Sequence, residues 1–275
     1  MPRHRYVVCD VFTDVPFAGN QLAVFTDARD IAEADMQRLA KEMNFSETTF
    51  VLPPEADGHV RMRIFTPFQE LPFAGHPILG TAFVLAGPLQ LVEIRLETGR
   101  GTVPVLLERE GARIVFGWME QPAPTVEPYR RAEELQDILG VRSELPVELY
   151  DNGTPHVYVA FPSVDAVAGL SPDFGRLAAL GALGVNCFAG SDARWKTRMF
   201  SPAMATNEDP ATGSAAGPLA LHLARHGRIA FGDEIEISQG AEIGRPSTLY
   251  ARAHSPERIE VGGSAVIVAR GEFRL

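Results

Sequence analysis

The stretch FTPFQELPFAGHPILGTA, residues 65–82, has a counterpart in FSPAMATNEDPATGSAAGPLA, residues 200–220. In the first, Phe65-Thr66-Pro67 leads through acidic Glu70 to Gly75-His76. In the second, Phe200-Ser201-Pro202 leads through Glu208-Asp209 to Gly213-Ser214. A tripeptide alone carries little weight. The shared order of strand end, acidic loop, glycine and apolar helix points to an internal duplication, and a duplicated unit leaves a cleft between its copies.

The two helices that close these stretches are unusual in the same way. HPILGTAFVLA (76–86), with Pro77 suited to a first helical turn, and SAAGPLALHLA (214–224), ending before Gly227, are apolar nearly all round. An amphipathic helix needs cover on one side only, whereas an all-apolar helix must be enclosed. With strands on either side, the expected fold class is α+β: two similar domains, each a mostly antiparallel sheet curled around a central apolar helix.

Outside the repeat, the alternating runs HVRMRIF (59–65) and VELYDNGTPHVYVAF (147–161) predict half-buried strands. Asp30 to Met43 predicts a surface helix, with Ile31, Leu39, Ala40 and Met43 on one face and Asp30 with Glu33 as a capping box. Arg131 to Leu139, closed by Gly140, predicts another amphipathic helix. The Pro-rich QPAPTVEP (121–128) before it is the best linker candidate.

Composition narrows the function classes. The chain has 275 residues, 45% hydrophobic and 22% charged, as in ordinary globular proteins. A formal net charge of −10 without any basic run argues against nucleic acid and anionic membranes as partners. The N-terminus meets Asp10 before a signal-peptide core develops, and no apolar run reaches membrane-spanning length, so the expected address is cytoplasmic. Cys9 and Cys187 are far apart and form no disulfide or zinc pattern, which predicts two buried thiols.

Helix starts with free backbone N–H groups and a positive dipole end suit a small anion. The loops at these two starts carry His76, Asp209 and Ser214, which can donate to or accept from a small polar ligand. Ser214 and Asp209 also suit plain capping roles. Glu47, in NFSETTFV (44–51), stands at a strand start among Phe45, Phe50 and Val51. Such surroundings favour the neutral acid and so suit general acid–base work near neutral pH.

These segments together resemble the phenazine-biosynthesis PhzF-like family, whose fold is that of diaminopimelate epimerase. The resemblance runs through FTDVPFAGNQLAVF (12–25), NFSETTFV, FTPFQELPFAGHPILGTA and EDPATGSAAG (208–217). It implies a first domain of residues 1–118 plus 262–275, a second of residues 119–261, and an active site in the cleft between them. It also implies catalytic roles for Glu47, His76, Asp209 and Ser214, and substrate contacts from Asn20, Gly75, Thr212 and Gly213. The implied activity is a cofactor-independent isomerisation, with no metal and no coenzyme, in which the glutamate shuttles a proton between carbons of a small carboxylate of the dihydro-hydroxyanthranilate type. A homodimer is implied as well.

Two departures are visible. Gln21 follows Asn20 where the family usually has proline, and Ala74 and Pro210 lie near the places where epimerases of this fold carry paired thiols, which disfavours a two-thiol mechanism. Three rival readings stand beside the isomerase. A Ser–His–Asp hydrolase would use Ser214, His76 and Asp209, but TGSAAG lacks the G-x-S-x-G elbow. A metal site would use His222 and His226, one helical turn apart, but HLARH lacks the zincin glutamate. The third is a non-catalytic small-molecule-binding protein that retains the fold.

Overall fold

The computed structural model describes residues 2–275. The chain forms two compact units, one running to Glu120 and resumed by Gly262–Leu275, the other Gln121–Val261. In chain order the elements begin with β1 (Arg3–Val11), β2 (Asn20–Phe25), α1 (Glu33–Met43), β3 (Glu47–Leu52), β4 (Val60–Phe65) and β5 (Glu70–Leu71). There follow α2 (Gly75–Leu89), β6 (Glu93–Thr98), β7 (Gly101–Glu110), β8 (Arg113–Gln121), β9 (Thr125–Pro128), α3 (Ala132–Leu139), β10 (Glu148–Asp151) and β11 (Pro155–Ala160). The remainder is α4 (Val164–Ala168), α5 (Phe174–Ala178), β12 (Gly184–Ser191), β13 (Arg194–Ser201), β14 (Thr206–Asp209), α6 (Gly213–Arg225), β15 (Glu234–Gln239), β16 (Ser247–Ser255), β17 (Arg258–Gly263) and β18 (Ala265–Arg274).

Strand register shows the duplication directly. In the first unit β1 pairs antiparallel with β2, β2 parallel with β3, β3 antiparallel with β4, and β4 parallel with β6. In the second, β10 to β11, β11 to β12, β12 to β13 and β13 to β15 repeat the same senses. Thr48 lies opposite Phe65 and Val185 opposite Phe200, so the two Phe-x-Pro strand ends occupy equivalent rungs. By the same register Glu47 corresponds to Gly184, and Leu22 to His156.

Parallel neighbours require a crossover, and α2 supplies it between β4 and β6. The helix touches β1, β2, β3, β6 and β18, so the sheet of the first unit curls around it. Eleven of its fifteen residues are buried, His76 through Val84 without a break, which is why its sequence is apolar on every side. Closeness is set at Gly80: a Cβ there would lie 2.6 Å from Leu22 Cδ2 and 2.7 Å from Val11 Cγ2. On the opposite face, α1 packs Met36, Leu39 and Ala40 against Phe25, Phe50 and Phe65.

The second unit repeats this layering. Its strand β11 is buried on both faces, and alternation sorts its side chains. Val157 and Val159 join a core with Leu135, Leu139 and Leu177 of α3 and α5. Tyr158 points the other way and donates to the Ala215 carbonyl of α6 at 2.7 Å.

Three local expectations need correction. The helix expected from Asp30 begins at Glu33 with Ala32 as its N-cap, and no side chain caps it. Glu33 instead pairs with Arg63 at 2.9 Å, so the capping box never forms. The stretch 121–128 is not a free linker, because Thr125–Pro128 is a strand paired with β10. Pro128 stands at the strand's end, which a proline tolerates.

Gly80→Ala should lower stability by about 1–3 kcal/mol in urea unfolding, because the added methyl overpacks the β1–α2 contact. Helix propensity alone predicts a gain of about 1 kcal/mol. A stabilised variant would show that the contact yields.

Candidate active site

In the first unit, three elements bring their ends to one place. Asn20 opens β2, Glu47 opens β3, and Gly75 with His76 open α2. Glu47 faces α2 because it shares a strand face with Thr49, whose hydroxyl lies 3.0 Å from that of Thr81 in the helix. His76 is the hub: its Nε2 lies 3.3 Å from Glu47 Oε2, and its Nδ1 lies 3.3 Å from Asn20 Nδ2. Asn20 and His76 are buried, while the Glu47 side chain keeps 15% of its surface exposed.

Burial pushes the His76 imidazole down to about 3, against an opposing hydrogen bond with the Gln21 backbone. The ring is therefore neutral at physiological pH. Its contact with Glu47 is that of a polar ring beside a carboxyl group, not an ion pair, and no formal positive charge from it pins the glutamate in its ionised form. Ala74, at the N-cap of α2, offers no side-chain cap, so the first turn turns backbone N–H groups toward any anion that binds there.

In the second unit Asp209 ends β14, Thr212 is the N-cap of α6, and Gly213 and Ser214 are its first two residues. The N-cap residue Thr212 makes no side-chain capping bond. Thr212 Oγ1 donates to Asp209 Oδ2 at 2.6 Å, and Gln239 secures the turn by donating to the Asp209 carbonyl at 2.8 Å and to Thr212 Oγ1 at 3.0 Å. One residue earlier, Arg198 grips Glu208 with two bonds of 2.8 and 2.7 Å and fixes β14 against β13.

Sequence reasoning missed the residues around Ser214. His156 Nε2 lies 3.0 Å from Ser214 Oγ, and Asn186 Nδ2 lies 3.3 Å from His156 Nδ1. Asn152 donates to the Ser214 carbonyl at 2.9 Å and Gln121 to that of Gly213 at 2.8 Å. Burial pushes His156 down to about 3 as well. The available signal was its place at the start of the second copy's second strand, directly after the NGTP turn.

Cys9 and Cys187 are buried free thiols, pushed well above the usual cysteine range by burial. Among the described residues, the one group of three side chains suited by type and spacing to a metal is Glu148, His222 and His226. Its geometry is that of a closed hydrogen-bond network. Glu148 Oε2 accepts from Tyr150 at 2.9 Å and lies 2.9 Å from His226 Nε2 and 3.3 Å from His222 Nδ1. Burial opposes its ionisation, but bonds from His222, His226 and Tyr150 and the Arg225 charge prevail and hold it at about 2. The Arg225 guanidinium already stands 3.6 Å from that oxygen, where a bound cation would meet like charge.

Residues 9–271 match the family described as phenazine biosynthesis-like protein. The chain belongs to that family. It is 50% identical to trans-2,3-dihydro-3-hydroxyanthranilate isomerase of Pseudomonas fluorescens, covering 99% of this chain and 100% of the relative. Identity to the isomerase of the same name from Pseudomonas aeruginosa is 52%, with the same coverage. A crystal structure of a PhzF-family phenazine biosynthesis protein from Bacillus anthracis superposes with a TM-score of 0.86 at 27% identity over 100% of both chains. With half of its residues shared along whole isomerases, this phenazine biosynthesis-like protein is itself an isomerase. No helix among the described residues is long and apolar enough to cross a membrane.

The neutral histidines fix a pH dependence. Their folded-state values near 3 lie below the ordinary histidine value of 6.5, so between these limits the unfolded chain binds more protons than the folded one. Stability is thus fully present above about pH 6.5 and is lost as pH falls toward 3. Urea unfolding at pH 4.5 should show a loss on the order of 2 kcal/mol per histidine relative to pH 7. Equal stability at the two values would mean that the rings are protonated in the fold.

Proposed function

We propose that this isomerase moves a proton between two carbons of a small cyclic carboxylate of the trans-2,3-dihydro-3-hydroxyanthranilate type, with Glu47 as the general acid and base. The observation that carries the reading is the position of Glu47: a mostly buried carboxyl with part of its surface open, 3.3 Å from a neutral histidine. A carboxyl group that must both take and return a proton works best when neither state is locked. A charged His76 would hold Glu47 ionised, and the buried ring avoids that.

The remaining roles follow from donor chemistry. We assign the holding of the substrate's anionic oxygens to first helical turns, Gly75 with His76 in α2 and Gly213 with Ser214 in α6, whose N-cap residues make no side-chain cap. Asn20 holds His76, and Thr212 holds Asp209, so the two polar pairs are oriented before substrate arrives. Each of these steps moves only a proton and needs no coenzyme or metal. A cytoplasmic homodimer is the assembly and address that the family resemblance favours.

The deciding experiment follows deuterium from D2O into trans-2,3-dihydro-3-hydroxyanthranilate by mass spectrometry and NMR. Wild-type protein should isomerise the compound with label at the reprotonated carbon. Glu47→Gln should slow turnover by about 10²–10⁴-fold, the usual worth of a positioned general acid–base. Turnover unaffected by this substitution would remove Glu47 from the mechanism, and turnover of a different carboxylate alone would replace the substrate.

A further inference from the structure

The second unit contains a hydrogen-bond chain whose direction can be read. Asn186 Nδ2 has two acceptors, the Gly184 carbonyl at 3.4 Å and His156 Nδ1 at 3.3 Å. A carbonyl accepts only from N–H, so the amide nitrogen lies on that side and His156 Nδ1 is an acceptor. A neutral imidazole then carries its proton on Nε2, which stands 3.0 Å from Ser214 Oγ. Burial keeps the ring neutral throughout the physiological range.

We infer that His156, held by Asn186, is a positioning residue that fixes Ser214 as a hydrogen-bond donor toward an oxygen of the substrate. The serine oxygen accepts from His156, so its single proton is turned away from the ring and is available at the start of α6. There it joins the first-turn N–H groups, which the Thr212 side chain does not cap. The class of group recognised is an anionic oxygen, the carboxylate or the enolate that develops as a neighbouring carbon loses its proton. With Nε2 protonated, His156 cannot serve as a base toward the hydroxyl, which removes it as the activator of a serine nucleophile.

The fold makes room for this device at a specific place. Gly184 occupies the rung that carries Glu47 in the first unit, and a Cβ there would lie 2.4 Å from His156 Nδ1. Glycine is what leaves room for the ring at this rung. The two units thus differ at equivalent positions: one holds a carboxyl at the strand start, the other an imidazole that aims a hydroxyl.

The inference rests on the proposed isomerisation and is tested with the full chain and trans-2,3-dihydro-3-hydroxyanthranilate. Ser214→Ala should lower kcat/KM about ten- to a hundredfold, as loss of one bond to a charged oxygen does. His156→Leu should cost a similar factor, and the double variant His156→Leu/Ser214→Ala should be no worse than Ser214→Ala. His156→Gln, which keeps an N–H within reach of Ser214 Oγ, should recover most of the loss. Gly184→Ala, which pushes the ring from its seat, should reproduce the leucine variant and serves as the readout if the latter fails to fold. Additive losses in the double variant, or full activity in both His156→Leu and Gly184→Ala, overturn the inference and leave the isomerisation standing. Full activity in Ser214→Ala removes Ser214 from the site, and the inference falls with that part of the proposed function.

Discussion

Everything in this fold depends on enclosing two helices that have no polar side. Once α2 is apolar all round, a sheet must bend around it, and the crossover from β4 to β6 places its first turn beside the open ends of β2 and β3. The same constraint on α6 brings Ser214 to the start of β11. Burial fixes the helix bodies, and their unfilled first turns become the polar places of an otherwise apolar interior. The Gly80 contact sharpens this, because a backbone-close seat leaves the helix little freedom to slide along the sheet.

The two central histidines show how burial sets the chemistry. Desolvation is the dominant influence on both His76 and His156, and it suppresses the charged state in each. A neutral ring donates from one nitrogen and accepts at the other, so it transmits orientation instead of charge. In the first unit His76 therefore meets Glu47 as a neutral ring. The Glu148 network shows the opposite outcome in the same protein: there several donors and a guanidinium overcome burial and hold a carboxylate ionised.

Much of this was legible in the sequence. The duplication, the two buried helices, the strands at 60–65 and 148–160 and the closing glycine at 140 all had local signals, namely period, apolarity and turn chemistry. Glu47, His76, Asp209 and Ser214 stood out because they sit at element ends in short, distinctive motifs. The side chains around Ser214 carry no such motif. His156 lies in an alternating strand like any other, and its partner Ser214 is 58 positions away on a helix, so only the packing of α6 beside β11 reveals the contact. The capping box failed for a related reason: Glu33 found a long-range partner in Arg63, and a tertiary ion pair displaced a local hydrogen bond.

The substitution of glycine for glutamate between equivalent rungs has a consequence for symmetry. Two identical halves would carry the same chemistry at equivalent rungs. With a carboxyl at that rung in one copy and a glycine in the other, the duplicated fold acquires a chemical polarity. A repeat that began with two like halves thus keeps a titratable group at one rung only, and its halves are no longer interchangeable.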